Sequence, residues 1–101
     1  MIKLYKRIIV KFGLNNPKKA YKVNVSDIII SPNFARSHPR QEKMIRKRNY
    51  YYENNQFESK IKLDKNFLLL DGYTSYLIAK EVGKKYVDVY FVNRNYYLKN
   101  M

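Results

Sequence analysis

The chain has no cysteine and no tryptophan, one histidine, three glycines and three prolines. The missing cysteine removes disulfides, thiolate metal sites and cysteine nucleophiles together, and a reducing, cytoplasmic setting is the simplest expectation. One histidine, with no cysteine beside it and no second imidazole one turn away, excludes the usual nitrogen–sulfur metal sets, so no metal is expected. No apolar run approaches the length that spans a bilayer; the longest, such as residues 67–70, are strand-sized. The first seven residues mix charge with apolar side chains and carry no small-residue cleavage pattern, so they do not read as a signal peptide. Repeats and low-complexity linkers are absent too.

Acidic charge is also scarce. Eight Asp and Glu face 21 Lys and Arg, a formal net charge of +13. Such an excess favours a polyanionic partner, nucleic acid before membrane, because no long basic amphipathic stretch carries exposed aromatic anchors. At 46% hydrophobic over 101 residues, the chain suits one domain with one modest core.

Residues 2–12 are apolar and basic, with strong β propensity around Arg7-Ile8-Ile9-Val10. Residues 1–20 are therefore expected to contribute a basic strand. Residues 21–25 alternate and predict a half-buried strand. Regular structure is expected to stop at Ser31-Pro32-Asn33, leaving residues 34–38 as loop. A helix is predicted from Pro39 to about Glu53, ending at Asn54-Asn55. Helical spacing sets Met44, Ile45, Tyr51 and Tyr52 on one apolar face and Arg40, Lys43, Lys47 and Tyr50 opposite. Arg48 falls within the apolar face, and either its head snorkels to water or it reaches a partner.

Residues 61–63 and 67–70 predict a hairpin around Asp64-Lys65-Asn66. Asp71-Gly72 then opens a second helix, with Asp71 as expected cap for the N–H of Tyr73 or Thr74. This helix stops at Gly83. Its stripe of Ser75, Ile78, Ala79 and Val82 should face the sheet, with Tyr76 near the polar rim. A final strand spans residues 86–92, followed by a tyrosine-rich tail over residues 93–101. The fold class is α+β, a mixed sheet against two main helices, in the order β, β, α, β, β, α, β.

Two clusters carry chemistry. Arg36, Arg40, Lys43, Arg46, Lys47 and Arg48 face only Glu42 within thirteen residues, and Tyr50 follows. The cations of this ridge suit phosphates, and Tyr50 suits stacking on an unpaired base. The second cluster is the turn Asp71, Gly72, Tyr73, Thr74 and Ser75, where free N–H groups and the helix dipole favour an anion. His38 stands in the loop before Pro39 as a capping or surface residue and, less favourably, a general base.

Leu70-Asp71-Gly72-Tyr73-Thr74-Ser75-Tyr76, then Ala79-Lys80-Glu81-Val82-Gly83 and Val87-Asp88-Val89, resembles the ParB/sulfiredoxin superfamily over residues 21–92. The resemblance implies that family's small α+β fold and a phosphate-facing helix start. Where ParB relatives read Gly-Glu-Arg-Arg, this chain reads Gly72-Tyr73-Thr74-Ser75, so both arginines are missing. Sulfiredoxin chemistry is excluded by the absent cysteine. Arg36 and Arg40 lie in the loop that, by resemblance, approaches the second helix, and would replace the missing cations from there.

The leading expectation is a non-catalytic nucleic-acid-binding module, for DNA more than RNA. The alternatives are a nucleotide-binding, phosphotransfer or nuclease-like relative with a remodelled pocket, using a nucleotide with Mg²⁺ at Asp71–Ser75 with Arg36, His38 and Arg40 from the facing loop, and a homodimeric subunit joined through the tail.

Overall fold

The computed structural model describes residues 19–93. The expected N-terminal strand over residues 1–20 lies outside them apart from Lys19 and Ala20, and so does the tail beyond Asn93, on which the dimer expectation rests. The elements are β1 (Ala20–Asn24), a 3-10 turn (Val25–Asp27), α1 (Pro32–Arg36), α2 (Gln41–Asn54), β2 (Ile61–Leu63), β3 (Leu69–Asp71), α3 (Tyr73–Glu81) and β4 (Tyr86–Phe91).

The four strands form one mixed sheet in the order β1-β4-β2-β3. β4 runs antiparallel to β1 and parallel to β2, while β2 and β3 are antiparallel. Alternation decides which side chains go inside. Val87, Val89 and Phe91 of β4 point into the core with Val23, Ile61, Leu63 and Leu69, all nearly inaccessible. Tyr76 and Ala79 of α3 close that side. Each large apolar side chain buried there contributes roughly 1.5–3 kcal/mol. Phe67 and Phe91 meet with ring centroids 5.2 Å apart, and Tyr21 meets the edge of Phe91 at 5.6 Å.

The hairpin forms as the sequence predicts. The Asp64 carboxylate accepts from the N–H groups of Asn66 (2.8 Å) and Leu68 (2.9 Å), which lets Phe67 take a positive φ of 69°. The long helix ends at Asn54, and Asn55 adopts the left-handed conformation at φ 54°. Asparagine tolerates that state better than most residues.

Three expectations are corrected. Ser31-Pro32 begins a helix rather than ending regular structure. Ser31 Oγ accepts from Phe34 N–H at 3.4 Å and Pro32 sits at the first helical position, where its missing N–H is harmless. The segment expected as loop at residues 34–38 therefore starts as helix. The long helix starts at Gln41, with Arg40 flanking it and no side-chain cap, rather than at Pro39. Finally, α2 turns a different face inward. Met44, Arg48 and Tyr51 are half-buried and Lys47 is buried, while Ile45 is 44% and Tyr52 66% exposed. Tyr51 stacks on Phe57 with centroids 4.8 Å apart, and polar partners for Lys47 and Arg48 secure the rest of that face.

Candidate functional site

The start of α3 is built on Gly72. Its φ is +89°, and a Cβ there would stand 2.4 Å from the Lys60 carbonyl oxygen and 2.8 Å from Ile61 Cα. The glycine is therefore demanded by the backbone entering β2, which crosses against it. Gly72 flanks the helix, and no side chain caps it. Asp71 Oδ1 instead accepts from the adjacent Gly72 N–H at 2.9 Å, which corrects the expected bond to Tyr73 or Thr74. The other carboxylate oxygen lies 4.0 Å from Lys62 Nζ.

Behind the glycine, Thr74, Ser75 and Tyr76 are buried, so Tyr76 does not sit at the polar rim, and Val82 is only partly covered. Ser75 Oγ donates to the Ser59 carbonyl at 2.6 Å. Its hydroxyl is thus directed into the body, tying α3 to the segment before β2. Tyr73 lies between the rings of Phe34 (5.2 Å) and Tyr76 (6.1 Å). The α1 segment does reach the start of α3, and it brings Phe34. Arg36 turns back within its own helix, where Nη2 donates to Asn33 Oδ1 at 3.1 Å. His38 and Arg40 line an open hollow with Pro39, Glu42, Lys43 and Arg46, separate from residues 71–75.

The basic ridge divides into committed and uncommitted cations. Lys47, expected on the exposed ridge, is 9% exposed. Its Nζ donates to Ser59 Oγ at 2.5 Å and lies 2.8 Å from Glu58 Oε1. Arg46 reaches the same carboxylate at 2.8 Å. The hydrogen bond from Lys47, with help from Arg46, holds the Glu58 carboxyl below the usual glutamate range. Arg48 makes a two-pronged pair with Glu81 at 2.5 and 2.9 Å, fastening α2 to α3. That bond raises the Arg48 pKa and lowers that of Glu81. Arg40 and Lys43 stay exposed at the start of α2, and Tyr50 is half-buried with its carbonyl accepting from Asn54 Nδ2.

One cluster escaped the sequence reading. Lys22, Lys60 and Lys84, with Phe57, Tyr86 and Tyr90, line a groove of about 390 Å³. They come from β1, the approach to β2, the α3–β4 turn and β4. The alternation of β4, which sends Tyr86 and Tyr90 away from the core, was the available signal. Among the described residues, no group of three or more His, Asp or Glu is placed to hold a metal ion, and no helix is long and apolar enough to cross a membrane.

No protein-family model matches the sequence, and no curated protein matches it. Solved structures do. One structure of a pNOB8-like ParB N-domain superposes with a TM-score of 0.63 at 23% identity, covering 74% of this chain and 30% of that chain. A second gives 0.59 at 22% identity, covering 72% of this chain and 26% of that chain. The chain thus spans less than a third of the length of either. In its overall arrangement the described part of the chain has the fold of a ParB N-domain.

Proposed function

We propose that this domain is a non-catalytic nucleic-acid-binding module of ParB-like type, gripping phosphates at the corner between α1 and α2. The observation that carries this reading is the set of cations left over after internal pairing. Arg40 and Lys43 are exposed beside His38, Glu42 is the one carboxylate among the described residues lining that hollow, and Arg36, two residues before His38, bonds to the neutral amide of Asn33. Arg46 and Lys47 share Glu58, so they offer less to a phosphate. With a net charge of +13 behind it, this corner attracts DNA over distance and holds it mainly through the backbone.

Fluorescence anisotropy on a labelled duplex, titrated over a range of salt, tests this. Each phosphate contact contributes about 0.9 to the slope of log affinity against log salt. Joint Arg40→Ala and Lys43→Ala substitution should reduce that slope by about 1.8, and Arg46→Ala by much less. An unchanged slope in the double variant refutes the corner as the contact.

A second reading places a nucleotide with Mg²⁺ at Asp71–Ser75. It is favoured by one observation, that no side chain makes a capping hydrogen bond to the start of α3, where the helix dipole favours an anion. A thermal-shift panel of nucleoside di- and triphosphates with Mg²⁺ decides it. A ligand at about 100-fold its dissociation constant stabilises by about 2.7 kcal/mol, and a flat panel removes the reading.

A further inference from the structure

Tyr86, Asp88 and Tyr90 alternate with Val87, Val89 and Phe91, so they share the face of β4 turned away from the core. Lys22 of β1 stands in register with Asp88, and Ala20 with Tyr90. Lys60 arrives on the same side from the neighbouring strand and holds its ammonium 4.9 Å from the centre of the Tyr90 ring. Lys85 lies 5.7 Å from the Tyr86 ring and Lys84 5.9 Å from Phe57. These lysines thus rest on aromatic faces. Asp88 is the one carboxylate lining the groove.

We propose that this groove is a second site, for single-stranded nucleic acid, in which Tyr86 and Tyr90 stack on unpaired bases while Lys22, Lys60 and Lys84 face the phosphates. Charge complementarity names a polyanion, and the rings select one whose planar faces are free. A duplex keeps its bases stacked inside and cannot offer them, whereas a single strand can lay each base on a ring, at a gain that scarcely depends on sequence. A lysine stem over a ring is movable, so a base can take its place and leave the ammonium beside the phosphate. Tyr86 and Tyr90 are four residues apart on one strand, roughly 13 Å. One base cannot bridge that distance, so the groove takes at least two nucleotides. Asp88, between them, repels phosphate and accepts from an exocyclic amine such as cytosine N4. The site is independent of the α1–α2 corner.

The test compares a fluorescein-labelled, unstructured 20-nucleotide strand with the same strand annealed to its complement, using the full chain at fixed low salt. Tyr90→Ala should weaken binding of the single strand about 5- to 150-fold, the range of one lost stacking platform, and change duplex affinity less than about twofold. Lys60→Glu should act in the same direction without removing a ring. Arg40→Ala with Lys43→Ala should do the reverse, weakening the duplex more. Thermal melting verifies that each variant folds, and because Lys60 is exposed, Lys60→Glu decides alone if Tyr90→Ala does not fold. Unchanged single-strand affinity in Lys60→Glu overturns the proposal, as does equal weakening of both strands by the groove variants. Failure of the corner variants alone overturns only the duplex reading.

Discussion

Replacing Gly72 by alanine is the sharpest probe of how this fold is assembled. Two costs add. The backbone at φ +89° carries a penalty of about 1–2 kcal/mol for a residue with a Cβ. The new methyl would also stand 2.4 Å from the Lys60 carbonyl oxygen and 2.8 Å from Ile61 Cα. Both are backbone atoms flanking the start of β2 and cannot swing aside as a side chain would. Forced overpacking of this kind typically costs about 1–3 kcal/mol. The sum, about 2–5 kcal/mol, is a large share of the roughly 5–15 kcal/mol expected for a domain of this size. In thermal melting it amounts to a fall of about 8–40 °C. Gly83 supplies the control, since it has φ +76° and open space where its Cβ would go. Gly83→Ala should therefore show the conformational penalty alone, about 1–2 kcal/mol. Urea denaturation followed by circular dichroism measures both variants. If Gly72→Ala costs no more than Gly83→Ala, the close crossing of β2 over the glycine is not what fixes this residue, and the reasoning fails.

Two further predictions follow from the shared carboxylate. Lys47→Ala should lower the melting temperature more than Arg46→Ala, although both residues pair with Glu58, because the Lys47 side chain is only 10% exposed and that of Arg46 is 61% exposed. Equal effects in differential scanning fluorimetry would contradict this. The second concerns acid. Folding lowers the Glu58 carboxyl below its ordinary 4.5, so its contribution is complete above that value and fades as pH falls through the lower folded value. Glu58→Gln should be less stable than the parent at neutral pH, and the gap should narrow steadily as pH falls below 4.5, as read from urea midpoints across pH.

Much of the fold was legible because it is local. The hairpin was announced by two short apolar runs around Asp64-Lys65-Asn66, β4 by its alternation, and the end of α3 by Gly83. Ser31-Pro32 misled because proline stops a strand and starts a helix with the same fixed φ, and which one happens depends on the serine before it. The phase of α2 was misjudged because Lys47 counts as polar on any hydropathy wheel. Only the fold supplies the Glu58 carboxylate and Ser59 hydroxyl that make its burial affordable. The Asp71 cap failed for a geometric reason: with Gly72 left-handed, the nearest donor to the carboxylate is the glycine's own N–H. The lysine–tyrosine groove was the least visible feature, since β4 lies beside β1 and β2 in space and far from both in sequence.

The placement of β4 also sets the order in which this sheet can be made. It is the last of the described strands, yet it occupies an interior position between β1 and β2. Among the described residues β1 pairs only with β4, from Asn24 with Tyr86 to Ala20 with Tyr90, across 62 to 70 positions of chain. Until residues 86–91 have left the ribosome, β1 and β2 lack the strand that joins them among the described residues, although Ile29 can already bridge to Phe67 and Leu69 beside β3. The long loop must close before the interior strand returns any stabilisation, so the sheet gains its stability late and nearly all at once. A nascent chain halted before Tyr86 would therefore be a sheet missing its interior strand rather than a smaller version of the same domain.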